Sequence, residues 1–369
     1  MKKIIKFLDL HEQYLTIKDE IDGAIASVIN DSAFIGGKYV EQLEENFAEY
    51  QQVKYCIGVG NGTDALEIAI EALNLPKGSE VIVPSNSFIA SAEAVTRSGH
   101  KVVFCDCDEH NYTISISSLK EKITVNTKAI IAVHLYGHPC DMDNLLKLAK
   151  VHDLKIVEDC AQAHGAEYKG KRVGAIGDIG CFSFYPGKNL GAYGDGGAIV
   201  SNDENLATKC RMIANHGRID KYDHEFEGRN SRMDGLQGAI LDVKLKYLSQ
   251  WTEKRRAVEA RYCEELSHVN KLKLSKEMGY SKHVYHLFVI RVGDRDALKE
   301  FLQLKGIATG IHYPKALPNL RAYMHFAHSS DEFPVANKYQ NEIISLPIYP
   351  EFPESDQGAV IETIKHFYS

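Results

Sequence analysis

Lys188 stands in the run Cys181-Phe-Ser-Phe-Tyr-Pro-Gly-Lys-Asn-Leu-Gly-Ala-Tyr-Gly-Asp-Gly-Gly197, between two apolar stretches. Ile179 to Phe184 and Ala198 to Val200 read as strands from their β-branched and aromatic content, and the Gly, Pro and Asn between them mark an irregular loop. An amine held between strand ends, with Tyr185 and Tyr193 limiting its solvation, is expected to have a lowered pKa and to attack a carbonyl, forming an imine. The competing reading is an ordinary solvated loop lysine, because lysines are seldom buried.

Three other stretches supply chemistry that fits such an amine. Gly58-Val-Gly-Asn-Gly-Thr-Asp-Ala-Leu66 follows a strand and opens a helix, so its backbone N–H groups and the Thr63 hydroxyl suit a phosphate, although Thr63 could equally cap the helix. It fails as a dinucleotide fingerprint, because GxGxxG needs glycine where Thr63 stands. Lys155-Ile-Val-Glu-Asp-Cys-Ala-Gln-Ala-His-Gly165 puts Asp159 at the end of a buried strand, where a carboxylate needs a partner. A protonated pyridine nitrogen would serve, as in pyridoxal phosphate chemistry; local backbone N–H groups would serve too. Phe88, after the strand ending at Val83, could stack on a planar ring or belong to the core.

The elements that must position these residues alternate between strand and helix. Strand-like runs at Cys56–Val59, Glu80–Val83, Val102–Cys105, Ala129–Val133 and Lys155–Val157 precede the two strands around Lys188, while 64–73 and 142–152 carry helical apolar spacing. That order predicts an α/β large domain over residues 1–245, with a mostly parallel central sheet flanked by helices on both faces and a ligand site beyond the carboxyl ends of the strands. Residues 233–266 read as one long charged helix. A smaller α+β domain over 246–369 is expected from strand-like 283–292 and 307–311, helix-like 296–304 and a terminal helix over 354–367.

Composition limits the functions available. The 369 residues carry a net charge of −7, which argues against nucleic acid as the main partner. Charged residues disrupt the basic start at Met1 before a signal-peptide core forms, and no apolar run approaches the roughly 18 residues of a membrane span. The 8 cysteines form no CxxC pair and read as reduced packing residues, so neither a metal site nor a disulfide framework is expected and the location reads as cytoplasmic.

Taken in order, these motifs resemble the sugar aminotransferases of the DegT/DnrJ/EryC1/StrS family. The likeness also includes Phe7-Leu-Asp-Leu, Phe34-Ile-Gly-Gly, His134-Leu-Tyr-Gly, Gly228-Arg-Asn-Ser-Arg-Met233 and His312-Tyr-Pro314, and so spans nearly the whole chain. It implies the fold-type I aminotransferase fold, pyridoxal 5'-phosphate as cofactor, and a homodimer whose active sites are shared between subunits. It further implies that Lys188 carries the imine link, that Asp159 pairs with the pyridine nitrogen, that Phe88 stacks on the ring and that Gln162 lies on its hydroxyl side. Gly62, Thr63 and Ser183 would hold the phosphate, with Asn230 arriving from the other subunit; His312, Tyr313 and Tyr185 would approach the sugar nucleotide.

Lysine rather than histidine at position 188 separates amine transfer from the dehydratases of the same family. The expected reaction moves an amino group from L-glutamate to a keto sugar nucleotide. Asp64, in Gly62-Thr-Asp-Ala-Leu66, resembles members acting on a 3-keto sugar, so a dTDP-3-keto-6-deoxyhexose leads, giving a dTDP-3-amino-3,6-dideoxyhexose for surface polysaccharide. A UDP-3-keto sugar or a 4-keto sugar nucleotide follows. Two readings of other kinds are a regulatory protein on the same fold, which would not need Lys188, Asp159 and Gln162 together, and a nicotinamide oxidoreductase, against which the failed fingerprint counts.

Overall fold

A computed structural model describes residues 4–369; the basic start, Met1 to Lys3, lies outside the described residues. Seven strands make the central sheet, in the spatial order Tyr55–Val59, Gly197–Ser201, Ile179–Ser183, Lys155–Asp159, Thr127–Val133, Glu80–Pro84, Lys101–Cys105. Gly197–Ser201 runs antiparallel to both its neighbours, and the remaining pairs are parallel. The sheet can be this apolar because both faces are covered: Val81, Val83, Ala129 and Ile131 enter one core while Ile82, Ile130 and Ala132 enter the other. Alternation of side chains along a strand requires that division.

Helix ends follow the capping chemistry of the sequence. Met142–His152 matches the expected helix, and its start is fixed by Asp141, whose side chain accepts from the Asn144 N–H. The strands beside Lys188 are Ile179–Ser183 and Gly197–Ser201, within a residue of expectation. Seven of the eight cysteines are buried, and all are free thiols.

The expected single helix over 233–266 is two helices, Gly235–Leu245 and Leu248–Leu266. The break redirects the chain between cores. Leu241 and Leu245 pack under the central sheet, whereas Val258, Tyr262 and Leu266 join the C-terminal core with Phe288, Ile344 and Ile361. That C-terminal part contains a three-stranded antiparallel sheet ordered Lys273–Leu274, Phe288–Arg291, Ile343–Leu346, with helices Arg295–Leu304 and Glu354–Tyr368 beside it. The strand expected at 307–311 is reduced to isolated bridges, Ile5 with Ile307 and Gly310 with Ser345. No helix among the described residues is long and apolar enough to cross a membrane.

Candidate active site

A cavity of about 640 Å³ opens beyond the carboxyl ends of the parallel strands. It gathers Gly62, Thr63, Phe88, Asp159, Gln162, Ser183, Tyr185, Lys188, His312 and Tyr313. Residues up to 251 positions apart, Gly62 and Tyr313, thus share one cavity, most of them at strand ends or in the segments that follow. Asn230 is the exception: it is exposed, lies outside the cavity lining and accepts a hydrogen bond from Arg232 Nε at 3.1 Å.

Burial pushes the Lys188 ammonium down to about 8, with the Asp159 carboxylate opposing the shift. Nζ forms no hydrogen bond or ion pair with any described residue. The expected cause is corrected, however. Tyr193 is 38% exposed and outside the cavity lining, and Tyr185 is 60% exposed, so neither encloses the amine. The cavity wall around Lys188 comes instead from segments distant in the chain, among them Asp159, His286 and His312.

Asp159 is 5% exposed and only partly satisfied. Its Oδ2 accepts from Ser91 Oγ at 2.8 Å, which in turn is bonded to Ser87 Oγ at 2.7 Å, and its Oδ1 accepts from the Ala161 N–H at 3.1 Å. Spare acceptor capacity therefore remains on a buried carboxylate in the cavity wall. Gln162 is held on both sides, its Oε1 accepting from the Tyr136 N–H at 2.7 Å and its Nε2 donating to Tyr313 Oη at 3.0 Å. Phe88 is half exposed to the cavity and tilts against the Tyr313 ring at 5.6 Å. His312 bonds Ser345 Oγ through Nδ1 at 2.8 Å and stacks on Phe7, while burial pulls its pKa down to about 4, leaving it neutral.

The helix Gly62–Ala72 aims its start at the same space. Asn61 is the cap, accepting from the Asp64 N–H at 2.8 Å, so Thr63 does not cap the helix. A Cβ at Gly62 would stand 2.4 Å from Ser183 Cβ, so only glycine lets the helix start and the strand-end serine converge. Two backbone N–H groups, one helix dipole and two hydroxyls then face one spot, a fit for a phosphate. Gly62→Ala should cost about 1–3 kcal/mol of stability from overpacking and weaken cofactor binding further; thermal unfolding and cofactor titration would read both.

Ser91, Arg255 and His286 line the cavity without having been expected there, and Tyr136 stands behind it, holding Gln162. Ser87 and Ser91, four residues apart on either side of Phe88, carried a readable signal. Arg255 did not, since Lys254-Arg255-Arg256 resembles a solvated charge run. A buried trio of metal-type donors, His134, Glu158 and Cys160, lies under the sheet. Its carboxylate is consumed internally: Glu158 pairs with His134 Nε2 at 3.0 Å and accepts from the Gly174, Ile176 and Gly177 N–H groups at 2.6–2.8 Å.

Residues 15–365 match the DegT/DnrJ/EryC1/StrS aminotransferase family. A "Pleiotropic regulatory protein" of Geobacillus stearothermophilus is 44% identical over 99% of this chain and 98% of its own. A "dTDP-3-amino-3,6-dideoxy-alpha-D-galactopyranose transaminase" of Aneurinibacillus thermoaerophilus is 44% identical over 99% of both chains. The crystal structure of S. venezuelae DesV in complex with a ketimine intermediate superposes with a TM-score of 0.97 at 40% identity, covering 99% of each chain. With the lysine, carboxylate and phosphate-shaped helix start in one cavity, these likenesses are decisive: the chain belongs to the DegT/DnrJ/EryC1/StrS aminotransferase family.

Proposed function

We propose that the protein transfers an amino group from L-glutamate to a keto sugar nucleotide, with a dTDP-3-keto-6-deoxyhexose as acceptor and a dTDP-3-amino-3,6-dideoxyhexose as product. The observation that carries it is the desolvated, unpartnered Lys188 amine in the same cavity as the half-satisfied Asp159 carboxylate. The relative named for a dTDP-3-amino-3,6-dideoxy sugar supports the choice of substrate. A homodimer that brings Asn230 to the neighbouring subunit's cavity, a cytoplasmic location, a role in surface polysaccharide synthesis and division of the chain at 245/246 are parts of the same reading.

Pyridoxal 5'-phosphate is the cofactor, and when bound it supplies the electron sink that makes the donor's Cα–H acidic. Gly62, Thr63 and Ser183 would hold its phosphate, Asp159 its ring nitrogen, Phe88 its ring face and Lys188 its carbonyl carbon. The Asp159 carboxylate, with acceptor capacity to spare in the cavity wall, would accept a hydrogen bond from the protonated ring nitrogen. The Lys188 Nζ amine, when not carrying the cofactor, would take the proton from the donor's Cα and act as the general acid that returns it. His312, Tyr313 and Tyr185, which line the cavity, would orient the sugar, and Gln162 bonds Tyr313 Oη at 3.0 Å.

The Lys188 amine also sets a pH dependence. Its folded value of about 8 lies below the ordinary 10.5, so below about pH 8 the apoprotein holds a buried cation that destabilises it. That penalty lifts as pH rises from about 8 toward 10.5. Capture of the cofactor by the apoprotein, which needs the neutral amine, should accelerate with a midpoint near 8 when followed by absorbance; a midpoint above 10 would show a solvated lysine.

The substrate choice is tested by offering the holoenzyme, with glutamate, a panel of 3-keto and 4-keto sugars on dTDP and UDP. Amination at C3 of a dTDP-linked 6-deoxyhexose with the highest kcat/KM is expected. Preference for a 4-keto sugar or a UDP sugar would refute the assignment. The relative named as a regulatory protein makes loss of catalysis a second reading, and a protein that stays colourless with added pyridoxal phosphate would favour it.

A further inference from the structure

Arg255, in the helix Leu248–Leu266, lines the cavity although it is 3% exposed. Its Nη1 donates to the carbonyls of Ile348 at 2.9 Å, Tyr285 at 3.2 Å and His286 at 3.4 Å, which fixes the guanidinium on the wall. Nε is buried without a partner, and no hydrogen bond joins Nη2 to any described residue. Glu351 is the acid whose field Arg255 feels, but no ion pair links them, and burial pushes the unpartnered Glu351 carboxyl up toward its neutral form. Burial pulls Arg255 only to about 10, so it remains a cation at neutral pH. The imidazoles of His286 and His312, on the same cavity wall, are neutral there.

A buried guanidinium with unspent donors is costly unless an anion completes it. Two anions belong to the proposed reaction, the donor's carboxylate and the sugar nucleotide's diphosphate. Position favours the first. Arg255 Nη1 bonds the His286 carbonyl at 3.4 Å, and His286 Nδ1 bonds Oδ1 of Asn189, the residue after Lys188, at 3.3 Å, so His286 links the two neighbourhoods along one cavity wall. An amino acid reacting at Lys188 carries its α-carboxylate one bond from the reacting carbon, whereas a diphosphate is separated from C3 by the sugar ring. The apolar neighbours Leu287 and Ile348 also suit a small carboxylate better than a hydrated diphosphate.

We propose that Arg255 binds a carboxylate of the amino acid that donates the amine, which rests on the aminotransferase reading and adds its donor subsite. The test uses the holoenzyme and variants Arg255→Met and Arg255→Lys. The donor half-reaction with L-glutamate is followed by cofactor absorbance without any sugar, the reverse half-reaction starts from the amino sugar nucleotide, and glutarate, which has no amine to transfer, is titrated by calorimetry. Losing a charge-assisted hydrogen bond should slow the glutamate half-reaction and weaken glutarate by about 10–100-fold in Arg255→Met. Arg255→Lys should recover part of both, and the amino sugar half-reaction should stay within about threefold.

Glutamate and glutarate responses unchanged in Arg255→Met, or an equal loss in both half-reactions, would overturn the proposal and leave Arg255 as a support for the carbonyls it bonds or a diphosphate contact. If Arg255→Met does not fold, Arg255→Lys decides by the same comparison between half-reactions. Failure of the aminotransferase reading shows separately, as a wild-type spectrum that no amino acid alters; glutarate binding by wild type and Arg255→Lys then still decides the carboxylate site.

Discussion

Replacing Lys188 with alanine should lower turnover by at least about 10⁴-fold, because in the proposed mechanism one side chain serves as both cofactor anchor and proton carrier. The cavity is otherwise unchanged by the substitution, since Nζ bonds to no described residue. Stability of the apoprotein should therefore hold or rise slightly at pH 7, where the wild-type chain carries the cost of a desolvated ammonium. That opposite movement of activity and stability distinguishes a reactive lysine from a structural one. A structural lysine would lose both together; a solvated one would lose neither. Thermal unfolding of apoprotein beside a coupled assay for 2-oxoglutarate reads the pair.

Asp159→Asn should be the next most damaging change. The carboxylate is buried, and removing the charge from a buried pair costs about 3–5 kcal/mol, equivalent to about 10²–10⁴-fold in rate. Asparagine preserves the shape: its Oδ1 can accept from the Ala161 N–H while its Nδ2 donates to Ser91 Oγ, whose own proton can turn to Ser87, so folding and the link to Lys188 should survive. What is lost is the negative charge that, in the proposed mechanism, would hold the ring nitrogen protonated. Ser91→Ala supplies the scale, since it removes one hydroxyl–carboxylate hydrogen bond and leaves the charge. Its effect should be no more than about 1–3 kcal/mol. Equal losses in Asp159→Asn and Ser91→Ala would mean that Asp159 acts only through its hydrogen bonds. Steady-state kcat and the absorbance maximum of the bound cofactor report the two contributions.

The strand ends were legible because parallel strands covered on both faces become short apolar runs, and a polar residue at their ends has few other reasons to be there. Asp159 and Ser183 follow that rule, as does the helix start at Gly62. The helix Met142–His152 was equally plain, with an aspartate cap and one apolar stripe. The division of 233–266 into two helices was not, because Lys246 and Tyr247 are compatible with helix and only the competing pull of two hydrophobic cores turns the chain there. The shielding of Lys188 was assigned to tyrosines by proximity in sequence. Tyr185 and Tyr193 instead point their surface toward solvent, and enclosure comes from segments distant in the chain. Arg255 was unreadable for the same reason: its burial is decided by the carbonyls of Tyr285, His286 and Ile348, which no local pattern announces. Asn230 shows a different limit. It lies outside the cavity lining of one chain, so the role proposed for it depends on a second subunit that the amino-acid pattern alone does not position.

The most direct test is chemical capture of the cofactor. Holoenzyme treated with borohydride fixes the pyridoxyl group to whichever amine holds it, and peptide mass mapping then locates it. The account predicts pyridoxyl mass on the peptide containing Lys188 alone, and its disappearance when L-glutamate is added before the reductant, because the donor displaces that amine. Label on another lysine, such as the buried Lys244, or label on Lys188 that glutamate leaves untouched, would contradict it.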